Sequence, residues 1–321
     1  MSQVLVISGH PDLDSSYTNS VVLQQVSEQL DNVSVRRLDE LYPDYQIDVA
    51  AEQQALIAAD VVILQFPFYW YSVPALLKKW IDDVFSFNFA YGTHGDKLKG
   101  KDLILSFTIG GPAESYEPLG YNHFTIEQLI HPLQQTSYLA GMNFQKPIYS
   151  HRMVYIPSVY NELEDVQARA TEHAQRLITS VRHLTESPEA KITALVKQWF
   201  AQFDQLAEDT AQYTRYLASD VQWQSPEGIF VGHQGFNDWY GVARATFKPN
   251  CQHNVHQLSI KELGDQYQVD LHIRLIAETY PESMMQGQPV DMAVDETWLM
   301  SLDDNGTPMI HSYDVRPVVE Q

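Results

Sequence analysis

Residues 61–92 read VVILQFPFYWYSVPALLKKWIDDVFSFNFAYG. The run at 61–66 is rich in β-branched and aromatic residues and is typical of a parallel strand buried on both faces. An aromatic stretch at 67–72 ends this run. Apolar side chains then recur at helical spacing, at Leu76, Leu77, Trp80, Ile81, Val84 and Phe85. A strand, a loop and a helix in this order predict part of a βαβ unit.

The same alternation continues on both sides of this segment. Strands are predicted at 3–8, 33–38, 61–66, 103–107 and 147–150. Helices are predicted at 15–30, 50–59, 72–85 and 162–184. Strands that alternate with helices indicate right-handed crossovers, so we expect an α/β domain with a doubly wound parallel sheet.

Two loops at the carboxyl ends of these strands favour a flat ring ligand. Pro67, Phe68, Tyr69 and Trp70 supply aromatic walls, and the stretch 108–111, Thr-Ile-Gly-Gly, lets backbone amides approach closely. Ligands of open α/β sheets bind beyond the carboxyl ends of the strands. Aromatic walls beside accessible amides suit the isoalloxazine ring of a flavin better than a sugar or a metal ion, so no metal is expected.

The loop after the first strand, GHPDLDSSYTN at 9–19, combines hydroxyl groups with the start of a helix. First-turn N–H groups lack helical partners and can bind an anion such as phosphate, and His10 can add a hydrogen bond. An ordinary capped helix explains the loop equally well. The GxGxxG fingerprint of dinucleotide-binding folds does not follow the strand.

Composition limits the partners. The 321-residue chain has a net charge of −21 and no cluster of Lys and Arg, so nucleic acid is not an expected partner. Its single cysteine, Cys251, fits a reducing compartment, and no secretory signal is expected at the N-terminus, so a cytoplasmic location is predicted.

The pattern changes after a polar, proline-containing stretch. We predict a first domain at 1–185, a linker at 186–190 and a second domain at 191–321. Helices come first in the second domain, and a run of strands at 253–263, 267–277 and 291–302 comes later, which indicates an α+β fold.

Residues 1–185 resemble the flavodoxin-like NAD(P)H:quinone oxidoreductase family, and within it the bacterial ancillary proteins of glutathione-gated potassium efflux. The resemblance rests on GHPDLDSSYTN, LYPDYQIDVAAEQQAL, FPFYWYSVPALLKKWIDDVFSFNFAYG, LKGKDLILSFTIGG and HPLQQTSYLAGM.

This resemblance implies a role for each loop. It assigns the flavin phosphate to His10, Ser16, Tyr17, Thr18 and Asn19. It assigns the isoalloxazine ring to Pro67, Phe68, Tyr69 and Trp70, and the pyrimidine edge of that ring to Thr108, Ile109, Gly110 and Gly111. It also matches Tyr116 and His123 to the Tyr/His pair that assists hydride transfer in the animal quinone reductases. The spacing of this pair is one residue longer here, so Tyr121 is an alternative to His123.

The activity that the resemblance implies is two-electron reduction of quinones or similar electrophiles by NAD(P)H. It would proceed in ping-pong order through the flavin N5. FMN is expected rather than FAD, which stays possible, because that branch uses FMN and the chain has no evident adenine site. Homodimers are also implied, with the aromatic segment 85–92 at the interface. The alternative function is that of a regulatory subunit docked on a membrane potassium-efflux system.

Residues 190–321 resemble the SnoaL-like group of nuclear-transport-factor-2-like cones, through 196–200, 223–226, GIFVGHQGFNDWY and the late strands. Such domains leave an open pocket, which implies a ligand-binding or isomerase-like module. The candidate lining residues are Trp223, Trp239, Tyr240, His256 and His272. Asp220, Asp270 and Asp295 are equal candidates for a general base. His253 and His256 are three apart on a strand and face opposite sides, so they cannot share a metal.

Overall fold

The structure, a computed structural model, describes residues 2–318. The chain divides into two compact units, with the boundary between Thr185 and Glu186. The predicted domain limits at residues 1 and 321 lie outside the described residues. Most of the expected linker at 186–190 is helical, because one helix ends at Glu186 and the next begins at Pro188. Ser187 separates them, and its Oγ caps the second helix by accepting the Ala190 N–H at 3.2 Å.

The first unit is built around a parallel sheet with the strand order β2-β1-β3-β4-β5, in which β6 also pairs with β4. The strands are β1 (Val4–Ser8), β2 (Val33–Arg37), β3 (Val61–Pro67), β4 (Asp102–Thr108), β5 (Asn143–Phe144) and β6 (Ile148–Ser150). The helices are α1 (Asn19–Gln29), α2 (Leu38–Leu41), α3 (Val49–Ala58), α4 (Ala75–Val84), α5 (Ile126–Leu129), α6 (His131–Leu139) and α7 (Leu163–Glu186). The flavodoxin-like doubly wound fold is confirmed.

Helices cover both faces of this sheet, which explains why β1 and β3 are buried at every position. Successive residues of β1 point to opposite faces. Leu5 and Ile7 join the core that contains Leu77 and Trp80 of α4. Val4 and Val6 join a second core with side chains of α1 and α7. The apolar stripe predicted for 72–85 therefore packs against the sheet.

The second unit is a mixed sheet with helices, as predicted. Its helices are α8 (Pro188–Phe203), α9 (Ala211–Thr214) and α10 (Gly232–Thr246). Its strands are β7 (Leu217–Ser225), β8 (Gly228–Val231), β9 (Gln252–Leu263), β10 (Gln266–Ala277), β11 (Val290–Leu302) and β12 (Pro308–Pro317). The strand order is β8-β7-β12-β11-β10-β9, and all neighbours are antiparallel except β12 and β7.

Aromatic side chains fill the core of this unit. Trp199 of α8 is fully buried and lies 6.2 Å from the ring of Trp223, 5.8 Å from Trp298 and 5.1 Å from Tyr213. Within residues 2–318, no helix combines the length and the apolar character that crossing a bilayer needs.

Candidate active site

The three loops predicted to hold a ligand follow β1, β3 and β4, which are neighbours in the sheet. The strands β3 and β4 end in register, since Pro67 pairs with Thr108, and β1 ends two residues earlier, where Ser8 pairs with Gln65. The N–H of Phe68 donates to the carbonyl of Thr108 at 2.8 Å. Because all three strands run in the same direction, the loops leave the sheet at one edge.

His10 presents a defined donor in the first loop. Its ring is buried, and Nδ1 accepts the N–H of Asp12 at 3.1 Å. Burial lowers the pKa of His10 below its usual value, against the opposing charges of Asp39 and Asp12, so the ring is neutral near pH 7. In a neutral ring whose Nδ1 accepts, the proton is on Nε2. His10 therefore offers an Nε2–H group to an acceptor such as a phosphate oxygen.

The remaining residues of the first loop are used mainly within the protein. Ser16 Oγ accepts the N–H of Asn19 at 3.0 Å, at the start of α1. The hydroxyl of Tyr17 donates to the carbonyl of Tyr155 at 3.0 Å and accepts its N–H at 2.8 Å. Thr18 is buried. The free first-turn N–H groups of α1 are therefore the atoms best able to bind an anion here.

The side chain of Asn19 connects the loops through hydrogen bonds. It is 2% exposed, and its Nδ2 donates to Thr108 Oγ1 at 3.1 Å. Its Oδ1 accepts from the side chain of Gln65 in β3. This amide joins the first loop, β3 and the end of β4, so both of its polar atoms bind other side chains of the protein.

The second loop contains a strained turn. The N–H of Ser72 donates to the carbonyl of Tyr69 at 3.0 Å, and the two residues between them, Trp70 and Tyr71, have φ angles of 47° and 64°. Left-handed pairs of this kind usually contain Asn and Gly, because a Cβ is disfavoured there. Trp70 is 91% exposed. Strain of this kind is common at ligand sites.

The side chains of this loop fall into two groups. Pro67 and Phe68 are buried, and the ring of Phe68 packs on Phe107 with centroids 5.2 Å apart. Tyr69 is half-exposed, and the hydroxyl of Tyr71 donates to Asn122 Oδ1 at 3.0 Å. Tyr69 and Trp70 thus form an exposed aromatic edge, and the buried side chains of Pro67 and Phe68 anchor it.

The third loop offers backbone rather than side chains, since Thr108 and Ile109 are buried. The N–H of Ile109 donates a hydrogen bond to the carbonyl of Ser150. A Cβ added to Gly110 would lie 3.0 Å from Val154 Cγ2, and one added to Gly111 would lie 3.3 Å from the ring of Tyr116. The loop is therefore closely packed, and a side chain at either glycine would require Val154 or Tyr116 to shift by a few tenths of an ångström.

The histidine beside Tyr116 is His151. The two ring centroids are 5.4 Å apart. His151 Nδ1 lies 3.2 Å from the carbonyl oxygen of Gly111, which can only accept, so Nδ1 carries a proton. His123 and Tyr121 are exposed on the loop between Tyr116 and α5.

The pKa values of this pair are shifted by burial. Burial raises the pKa of the Tyr116 hydroxyl, and the charge of Tyr71 acts in the same direction. Burial lowers the pKa of His151, against the hydrogen bond to Gly111. Near pH 7, Tyr116 is therefore a protonated donor, and His151 is a neutral ring with its lone pair on Nε2. His151 directly follows β6, which pairs with β4. Its position after a strand was the feature of the sequence that could have identified it as a site residue.

In the second unit, the residues predicted to line one pocket lie in different places. Trp239 lines a cavity, whereas Trp223 and Tyr240 are core residues. His256 and His272 line a different, polar depression with Asp270 and Asp295, and His272 Nδ1 lies 2.7 Å from Asp295 Oδ1. Asp220 lies on β7 and is exposed. Across residues 2–318, His, Cys, Asp and Glu side chains form no group of three or more arranged to hold a metal ion.

Known proteins similar to this chain match mainly its first unit. An uncharacterized NAD(P)H oxidoreductase of Bacillus subtilis, YdeQ, is 37% identical over 61% of this chain and 94% of its own length. The glutathione-regulated potassium-efflux system ancillary protein KefF of Enterobacter sp. is 42% identical over 54% of this chain and 95% of its own length. The solved general stress protein 14 of Treponema denticola, in complex with FMN, is 28% identical with a TM-score of 0.52. It covers 57% of this chain and 99% of its own.

One solved structure similar to the rest of the chain is a nuclear transport factor 2-like superfamily protein of Salmonella enterica. It covers 43% of this chain and 95% of its own, at 14% identity and a TM-score of 0.38. The family model that matches is Flavodoxin_2, described as a flavodoxin-like fold, over residues 2–177. A match to more than half of the sequence, together with the strand order and the three loops at one edge, places this chain in the Flavodoxin_2 family.

Proposed function

We propose that this chain is an FMN-dependent NAD(P)H oxidoreductase that reduces quinones or similar electrophiles by two electrons. The observation that carries the proposal is the convergence of three loops at one sheet edge, with an aromatic turn, two packed glycines and a helix start. The similarity to an NAD(P)H oxidoreductase and to an FMN complex supports it.

The residues present fit FMN. The Nε2–H of His10, the hydroxyl of Ser16 and the first-turn amides of α1 would bind the phosphate. The edge formed by Tyr69 and Trp70 would line the ring, and the backbone of Gly110 and Gly111 would face its pyrimidine side. Bound FMN would supply a centre, N5, that takes up and gives off hydride.

Tyr116 and His151 would stabilise the negative charge that reduction brings to the pyrimidine side. The hydroxyl of Tyr116 donates a hydrogen bond, and Nε2 of His151 is free to hold a proton while Nδ1–H stays bound to Gly111. Donors held ready for a developing charge lower the barrier, because they need little reorganisation. We propose His151 for the role first expected of His123 or Tyr121.

A ping-pong order follows if NAD(P)H and the electrophile occupy the same open side of the site in turn. The exposed side chain of Trp70 borders that side.

We also propose a cytoplasmic location and a homodimer. Within 85–92, Phe89 and Ala90 are buried, whereas Phe87 and Tyr91 are 63% and 40% exposed. These exposed rings are available to a second copy, and the molar mass in solution tests this.

The experiment is an absorption spectrum of the purified protein, recorded before and after anaerobic addition of NADH or NADPH. Flavin bands that bleach with either nucleotide, and return when benzoquinone is added, would support the proposal. A protein that shows no flavin bands after incubation with FMN, and does not oxidise NAD(P)H, would refute it.

A second candidate function is that of an ancillary subunit of a glutathione-regulated potassium-efflux system. The 42% identity to KefF favours it. Co-expression with a potassium-efflux transporter tests it. Co-purification and faster efflux would support this role, and efflux that is the same with and without the chain would contradict it.

A further inference from the structure

The second unit encloses a cavity of about 130 Å³. Its walls are mostly apolar and aromatic, and they include Phe200, Phe203, Trp239, Phe247, Leu275 and Met292. An apolar cavity of about 150 Å³ is known to hold one benzene molecule in another protein, so this volume suits a single six-membered ring. Aromatic walls favour an aromatic ring, which can pack against them edge-on or offset.

A buried carboxyl group faces this apolar space. Glu296 lies on β11 at an inward position between Val294 and Trp298, and only 6% of it is exposed. Its Oε2 accepts the indole N–H of Trp298 at 2.9 Å, and the hydroxyl of Tyr313 donates to the same carboxyl group. The neighbouring Asp295 faces the other side of the sheet.

A histidine with a defined orientation stands in the same wall. His253 Nδ1 lies 2.6 Å from Asp204 Oδ1, and the ring stacks on Phe200 at 5.1 Å. Because Nδ1–H is bound to the carboxylate, Nε2 is the ring nitrogen that can meet a ligand.

A serine adds to the polar part of the lining. Ser225 is 8% exposed, and its hydroxyl has no hydrogen-bond partner among residues 2–318. Burying a polar group without a partner is unfavourable, so a ligand that supplied one would gain by binding.

These groups define the ligand. When Glu296 is ionised, its carboxylate accepts hydrogen bonds, so a ligand that donates one is favoured beside it. We propose that the cavity is a binding site for a small monocyclic phenol, with its ring between the aromatic walls and its hydroxyl directed at Glu296 and His253. The site belongs to the second unit alone and is separate from the proposed flavin site.

The proposal is tested with 4-fluorophenol, followed by fluorine NMR on the full chain. The matched probe is 4-fluorotoluene, in which a methyl group replaces the hydroxyl. At about pH 8, where Glu296 is ionised, we expect 4-fluorophenol to bind at least about tenfold more tightly, since a hydrogen bond to a charged group is worth that factor or more. Equal affinity for the two probes would overturn the proposal.

Three variants locate the probe. Glu296→Gln is nearly isosteric and should weaken 4-fluorophenol binding about tenfold. Ala243→Phe adds a ring to the cavity wall and should abolish it. Asp295→Asn makes the same chemical change as Glu296→Gln on the opposite face of β11 and should leave binding unchanged. Binding that survives both Glu296→Gln and Ala243→Phe would place the probe elsewhere and overturn the proposal. If Ala243→Phe does not fold, the difference in 4-fluorophenol binding between Glu296→Gln and Asp295→Asn tests the proposal.

Discussion

His151 donates from Nδ1 to the carbonyl oxygen of Gly111 at 3.2 Å, and this hydrogen bond orients the ring that packs on Tyr116. Gly111 belongs to the loop after β4, and His151 follows β6, the strand beside it. The geometry of the proposed hydride-transfer site therefore depends on the pairing of these two strands.

Replacing this histidine should impair catalysis. His151→Gln keeps a hydrogen-bonding group but removes the proton acceptor, so kcat for benzoquinone reduction should fall on the order of a hundredfold. Flavin content, read from the absorption spectrum, should be retained. His123→Gln is the matched control, and its kcat should stay within about twofold of the parent. A large loss in His123→Gln with no loss in His151→Gln would reverse the assignment.

The strained turn at Trp70 should lower the stability of the protein and favour ligand binding. Asn tolerates the left-handed conformation better than Trp, so Trp70→Asn should raise the free energy of unfolding of the flavin-free protein by about 1 kcal/mol. The same change removes an aromatic wall and should weaken binding of FMN or of the electrophile. Urea unfolding and an FMN titration measure the two effects. Tyr69→Asn alters a residue with no left-handed φ and should give no such gain; an equal gain there would argue against turn strain.

Asn19 should matter more for stability than a residue on the surface of a site would. Asn19→Ala leaves Gln65 and Thr108 without their buried partner, so the free energy of unfolding should fall by about 2 kcal/mol. Ser16→Ala removes a hydroxyl that accepts from the N–H and the Nδ2 of Asn19 at the start of α1, and it should cost about 1 kcal/mol. Chemical unfolding of the flavin-free variants gives both values. A smaller effect for Asn19→Ala than for Ser16→Ala would contradict its role as a support.

Glu296 should make stability depend on pH. Burial raises its pKa from the usual 4.5 to about 7, and the hydrogen bonds from Tyr313 and Trp298 and the charge of His253 oppose this shift. Between these two values, the folded state keeps a proton that the unfolded chain has released. Its contribution to the free energy of unfolding should therefore be full below pH 4.5 and fall as pH rises, by about 3 kcal/mol in total at pH 7.

Comparison with Glu296→Gln isolates this term, because Gln does not titrate. The variant should gain stability relative to the parent between about pH 5 and about pH 8, as measured by urea unfolding. The other titratable side chains lining the cavity are unchanged in it: Glu227, Cys251, His253 and Tyr313. Asp295→Asn should show no such gain, and a constant difference between Glu296→Gln and the parent across this range would rule out the shifted carboxyl group.

Much of the first unit was predictable because its signals are local. The run at 61–66, the stripe from Leu76 to Val84 and the aromatic loop between them indicated a strand, a helix and a loop. Parallel strands then require the three loops to meet at one edge. Which side chains face a ligand was less predictable: Asn19 and Tyr17 are polar loop residues like Ser16, but the tertiary structure uses their side chains within the protein.

The second unit shows the same division. The late strands were evident from their composition, but Glu296 was not among the carboxyl groups considered there, which were Asp220, Asp270 and Asp295. Its signal was present in the alternation Val294, Glu296, Trp298, Met300, which puts a carboxyl group on an apolar face. Alternation tells which residues share a face of a strand, but not which face encloses a cavity.

The sequence by itself determined the succession of strands and helices, the parallel sheet of the first unit and the edge at which its loops meet, because these depend on periodicity and chain direction. Only the tertiary structure decided that His151 stands beside Tyr116 and that Glu296 and His253 share a cavity. Those pairs are separated by 35 and 43 residues in the chain (151 − 116 and 296 − 253), so strand pairing and core packing, not local pattern, bring them together.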